Sequence, residues 1–269
     1  MIKSLEERLN DAQSGQMAID SVLAQHPGKL RPEVESAIRK VLVSSGGIEH
    51  WMTLIHARKS AWSLIEDLEN KVDSEDCVNF GSSSMKFVHA RLLGVQAYLT
   101  CCWSLADQII GWAGRVLCTP NGGLNESSPP QLVSHFLRSE RKKHTLNAFY
   151  GTIPETFGWP IGIFYALRNH FVHDGGQKLG VEFFESPNSM RAFEVSNEAW
   201  LEIEEVVRNK YNLEITMQTN TATWPDNPLS DIREVFKVCE RESDDALGII
   251  LGSACATLKS HVGLMLGQD

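Results

Sequence analysis

No apolar run of about 18 residues occurs in this chain, so nothing in it reads as a membrane-spanning helix. The opening Met1-Ile2-Lys3-Ser4-Leu5-Glu6-Glu7 lacks the apolar segment of a secretory signal. None of the six cysteines (Cys77, Cys101, Cys102, Cys118, Cys239 and Cys255) stands in a CxxC pair, and no Cys/His run has zinc-ligand spacing. Most of them sit in apolar stretches, where a free thiol acts as a small hydrophobe. These absences predict a reduced, cytoplasmic protein with no metal and no cofactor. Also missing are a Gly-rich phosphate loop followed by Lys-Ser or Lys-Thr, a nucleophile elbow, and a His-Glu-x-x-His pair. Positive charge is scarce: 25 Lys and Arg stand against 34 Asp and Glu, and 25 − 34 = −9. Broad binding of duplex DNA needs clustered cations, so that class is a poor fit. A small basic cleft for one strand remains compatible with the balance.

What is present is an ordinary globular composition: 269 residues, 42% apolar and 22% charged, enough to build a core without disulfides or metals. Helical spacing dominates. Residues 3–25 carry apolar positions at Leu5, Leu9, Met17, Ile19 and Val22. Pro27-Gly28 breaks the chain, and Arg31-Pro32-Glu33 reads as a helix start with proline in the first turn. After Gly46-Gly47, residues 48–72 place Trp51, Leu54, Ile55, Trp62, Ile65 and Leu68 at helical spacing. Residues 73–84 read as a polar loop. The very apolar segment 85–117 reads as a buried central helix. Pro154 and Pro160 are expected to bracket a turn before a helix over 161–173. Val181–Glu185 and Met190–Val195 read as a small hairpin around Ser186-Pro187-Asn188-Ser189. Ser196 opens a helix to Lys210. A last helix is expected over 230–266, broken near Ser243-Asp244 or Gly248. The fold expected is mainly α: a helical bundle with extra terminal helices and one small β-hairpin. It divides into an N-terminal helical extension (1–80), a core with the motif helix and hairpin (81–211), and a C-terminal helical segment (212–269).

The most informative stretch is Tyr165-Ala166-Leu167-Arg168-Asn169-His170-Phe171-Val172-His173-Asp174-Gly175. It resembles the signature of the HEPN superfamily (higher eukaryotes and prokaryotes nucleotide-binding). That signature is an Arg, often followed by a polar residue such as Asn, then a His after four to six intervening residues. Here Arg168 and His173 have four residues between them, and Asn169 fills the polar slot. The resemblance implies catalysis by Arg168, Asn169 and His173: metal-independent RNA cleavage by 2′-OH attack, leaving 2′,3′-cyclic phosphate ends. It also implies a homodimer with a composite site, since two motif helices facing each other complete what one makes loosely. A role as a toxin or anti-phage effector, restrained by an antitoxin or sensor protein, is part of the same implication. So is the alternative of a non-catalytic module binding nucleotide, RNA or a partner protein.

The residue chemistry suits that reaction. His can act as base or acid near neutral pH. Arg stays protonated and grips phosphate oxygens with a planar fork. Asn169 and His173 are four apart and share a helix face. Arg168 and His173 are five apart, roughly 140° around the axis. A helix C-terminus favours a cation, which helps His173 hold its proton, and Asp174 adds to that pull. Asp107 is a polar break in the apolar helix, and relatives often direct a polar or acidic residue from that helix to the site. Asp107 and Asp174 are therefore supporting candidates. The basic run Arg138, Arg141, Lys142, Lys143 is the candidate RNA contact.

Plainer readings stand beside these. Arg168 also fits a structural ion pair, His173 a helix cap, Asn169 a local backbone bond, and the basic run a solvated face. Gly175-Gly176 ends a helix, and His170 lies outside the pattern. Trp51, Trp62, Trp103 and Trp112 read as core rather than as base-stacking platforms.

Overall fold

The computed structural model describes residues 3–44, 47–70, 77–117, 153–173, 194–195, 201, 203–210 and 230–266. Over these the protein is mainly helical, with very little strand. The helices are α1 (Leu5–Gln25), α2 (Pro32–Ser44), α3 (Gly47–Asn70), α4 (Phe87–Leu117), α5 (Ile153–His173) and α6 (Ile232–Leu266). None of the described helices is long and apolar enough to cross a membrane.

Local chemistry sets the helix ends. Ser4 caps α1: its hydroxyl accepts from the Glu7 backbone N–H at 3.2 Å, and Glu7 Oε2 accepts from the Ser4 N–H at 2.7 Å. Two amides that the helix cannot satisfy are thereby bonded reciprocally. The turn after α1 contains Gly28 at φ 75°, a left-handed conformation that glycine adopts without a Cβ clash. Pro32 opens α2 in the first turn, where its missing N–H would have no partner anyway.

Three sequence expectations need correction. Across the end of the span read as a polar loop and the first two residues of the span read as helix, β1 (Cys77–Phe80) and β2 (Ser83–Lys86) form an antiparallel hairpin, with Phe80 opposite Ser83 and Cys77 opposite Lys86. The two-residue turn has Gly81 at φ 61°, as such turns demand. The serines that disguised the strand are exposed, so pairing and turn geometry, not burial, decide this element. Second, α5 begins at Ile153 and runs through both prolines instead of starting after them. Pro154 lies in the first turn. Pro160 lies inside the helix, where it forfeits a backbone bond at a cost of about 3 kcal/mol. Burial of Trp159 and Ile161 on either side offsets that cost. Third, α6 is unbroken over 35 residues. Ser243 is buried within it, and Gly248 leaves space that the Arg8 side chain occupies: a Cβ there would lie 2.3 Å from Arg8 Cδ. On α1 the buried line is Leu5, Leu9, Ala12, Ile19 and Leu23, and Met17 is exposed.

The hairpin expected after the motif helix falls mostly outside the described residues. Of its span only β3 (Glu194–Val195) is described, and it pairs antiparallel with β4 (Ser230–Asp231). The helix expected from Ser196 to Lys210 is helical over 203–205 and ends in a π-helical turn, Val206–Lys210.

Contacts group the chain into two compact units whose limits fall inside helices. Unit 1 comprises Met1–Thr53, Leu105–Phe157 and Glu242–Asp269. Its core holds Leu9, Ile38, Trp51, Ile109, Trp112 and Leu251. Trp51 donates its indole N–H to Gln108 Oε1 at 3.0 Å and meets Trp112 edge-on at 6.0 Å. Unit 2 comprises Leu54–Ser104 and Gly158–Arg241. Its core holds Ile65, Tyr98, Leu99, Phe164, Leu167 and Phe236. Here α3 and α4 pack closely at Gly94, where a Cβ would lie 3.0 Å from Ile65 Cγ1. The described cysteines are free thiols, with Cys102 and Cys239 buried.

Candidate functional site

The motif sits on the last two turns of α5, in unit 2. Every residue from Trp159 to Leu167 is buried, so the helix enters the core with no wet face. Burial stops at Arg168 and Asn169, the first part-exposed residues of that run. An apolar helix thus delivers a guanidinium and an amide to the edge of the core, on a backbone held by Ile163, Phe164 and Leu167.

The two side chains are joined: Arg168 Nη1 donates to Asn169 Oδ1 at 3.0 Å. A guanidinium carries five N–H donors, so this bond engages one. It also orients the amide, with Oδ1 toward the cation. His173 is the last residue of α5, one helical turn beyond Asn169. The backbone therefore places Arg168, Asn169 and His173 within two turns of one helix, at the spacing the sequence indicates.

The supporting candidates fare differently. Asp107 is half-buried on α4 and belongs to unit 1. Asp174 and the run Arg138, Arg141, Lys142 and Lys143 lie outside the described residues.

Two clusters in unit 2 were not legible in the sequence. Trp103 on α4 stacks against Tyr165 on α5, ring centroids 4.4 Å apart at 31°. Tyr165 lies one turn before Arg168, so this aromatic pair adjoins the motif. Nothing in the sequence pairs residue 103 with residue 165; the only signal was a tyrosine at helical spacing from the arginine. The second cluster joins three helices. Tyr98 donates its hydroxyl to Glu240 Oε2 at 2.6 Å, and Arg58 lies 3.2 Å from Oε1 of the same carboxylate. Arg58 is 3% exposed, although Lys59 and Ser60 beside it are both exposed and give the segment a solvated look. Burial, followed by the nearby Cys102 and Glu240 groups, pushes the Tyr98 hydroxyl far above the usual tyrosine range.

Compared with protein-family models, with curated proteins and with solved structures, the chain matches none.

Proposed function

We propose that this protein is a HEPN-type endoribonuclease that cuts RNA without a metal ion. One observation carries the reading: Arg168 and Asn169, bonded to each other, directly follow the buried stretch Trp159 to Leu167 of the helix that His173 terminates. In this reaction a base removes the ribose 2′-OH proton, and the oxygen attacks the adjacent phosphorus. The 5′-oxygen departs with a proton from an acid, leaving a 2′,3′-cyclic phosphate and a 5′-hydroxyl. His173 moves the proton. Arg168 binds the phosphate oxygens as charge builds on them. Asn169 orients Arg168 or the phosphate without adding charge. A single motif helix supplies one such histidine, so a homodimer with two such helices across a shared cleft supplies both base and acid. In the cell the enzyme acts as a toxin or anti-phage effector, held in check by an antitoxin or sensor protein.

The test is cleavage of RNA by the purified chain in excess EDTA, with the ends identified. Cyclic phosphate and 5′-hydroxyl ends that persist in chelator support the reading. Cleavage that stops in EDTA, or that leaves 5′-phosphates, refutes it.

A second reading is a non-catalytic module of the same superfamily that binds a nucleotide, RNA or a partner protein, and the formal charge of −9 favours the protein partner among these. A dimeric preparation inert toward RNA, yet recovered in complex with the product of an adjacent gene, favours that alternative.

A further inference from the structure

The Trp103–Tyr165 stack is uneven. Tyr165 is 7% exposed, while Trp103 is only part-buried. Tyr165 precedes Arg168 by three residues and Asn169 by four, so all three lie along one stripe of α5. At 1.5 Å per residue, Arg168 stands about 4.5 Å farther along the axis than Tyr165. A part-exposed Trp103 thus packs its indole on a buried phenol ring that α5 carries one helical turn before a part-exposed guanidinium bonded to an amide. This spacing suits the two halves of a nucleotide in a single strand, a π-face and a phosphate. Proteins that hold single strands combine such aromatic surfaces with cations.

We infer that the Trp103 indole, supported by Tyr165, is a stacking platform for an unpaired base of the RNA strand whose phosphate Arg168 holds. This rests on the RNA-cleavage reading of Arg168 and deepens it: the substrate is single-stranded or looped RNA, because bases inside a duplex do not offer a free face. Tyr165 is a positioning residue, since it meets the indole and not the base. Any base has a π-face, so the platform selects strandedness more than sequence.

The test uses a 2′-O-methyl oligonucleotide, which lacks the attacking hydroxyl, so that binding is read without cleavage. The unsubstituted chain binds the single strand and binds it less well once a complement is annealed. Trp103→Ala weakens binding about tenfold or more, and Trp103→Phe retains most of it. A strand carrying abasic sites loses affinity for the unsubstituted chain to a similar degree. Equal affinity for the normal and abasic strands, or for the unsubstituted chain and Trp103→Ala, overturns the inference. If Trp103→Ala does not fold, the abasic comparison decides alone. Cleavage of unmodified RNA is measured in parallel with Arg168→Ala. Arg168-dependent cleavage with no abasic effect sinks the platform and spares the nuclease. A clear abasic effect without cleavage spares the platform and sinks the nuclease. No binding of the oligonucleotide at all overturns the platform.

Discussion

The hydroxyl of Tyr98 on α4 donates to Glu240 on α6 at 2.6 Å, and the other oxygen of that carboxylate faces the buried Arg58 of α3 at 3.2 Å. The Tyr98 ring also stacks on Phe236 at 5.6 Å and meets Phe164 of α5 edge-on at 6.2 Å. One side chain thus links four helices of unit 2, by a polar contact at its tip and apolar contacts along its ring. The helix that carries Arg168 is among the four.

That linkage predicts a pH dependence of stability. The folded state holds the Tyr98 proton far more tightly than the unfolded chain, chiefly because the ring is buried. The unfolded tyrosine ionises near pH ~10. The stabilisation is therefore complete below that pH and is lost as pH rises above it. Between about pH 9 and about pH 11 the urea midpoint of the native chain should fall more steeply than that of Tyr98→Phe. At neutral pH, Tyr98→Phe should cost about 1–2 kcal/mol for the lost bond to a carboxylate. Parallel alkaline slopes for the two proteins would contradict this account.

The tryptophans of unit 1 should respond unequally to the same change. Trp51 Nε1 is bonded to Gln108, whereas the buried Trp112 Nε1 has no hydrogen-bond partner among the described residues. Trp51→Phe breaks a bond and leaves Gln108 without it, at a cost of about 1–2 kcal/mol beyond the lost ring area. Trp112→Phe removes an unsatisfied N–H, which largely offsets its own loss of area, so its net effect should be under about 1 kcal/mol. Denaturation midpoints measured side by side check the order; a Trp112 variant less stable than the Trp51 variant would reverse it.

Two helical glycines should give opposite signs. Gly94 faces Ile65 Cγ1, which would lie 3.0 Å from an added Cβ, whereas Gly252 is exposed and a Cβ there would meet none of the described residues within 4 Å. Gly94→Val overpacks the α3–α4 contact and should destabilise by about 1–3 kcal/mol. Gly252→Ala adds helix propensity in open space and should stabilise by about 0.5–1 kcal/mol. Thermal melts that move in the same direction for both variants would show that the close approach is not what places glycine at 94.

Division of labour at the motif predicts a graded series. Arg168→Ala and His173→Ala should each abolish RNA cleavage without unfolding the chain. Loss of general acid–base help alone costs about 10²–10⁴ in rate. Arg168→Lys keeps the charge but loses the fork, and should still impair cleavage. Asn169→Ala should cost less, since orientation contributes less than charge or proton transfer. His170→Ala should be nearly silent. Initial rates on one RNA, with dichroism to confirm folding, rank the series; parental rates in folded Arg168 and His173 variants would make the motif structural.

Patterns internal to one segment are determined by the residues of that segment alone. The capped start of α1 follows from Ser4 and Glu7, three residues apart, and the extent of α4 from a long apolar run ending at Leu117. The Arg168/Asn169/His173 spacing belongs to the same class, because residues on one helix are placed by its pitch. The tertiary structure decided whatever depends on a partner distant in sequence or on the surrounding core. The β1–β2 pairing had to prevail over a serine-rich composition, the core had to offset the proline within α5, and Arg8 had to fill the space at Gly248 that looked like a break. The burial of Arg58 against Glu240, and the meeting of Trp103 with Tyr165, are of this kind too. Propensity and periodicity act over a few residues, whereas burial of a charge or a ring depends on which helices pack together, and no local pattern encodes that packing.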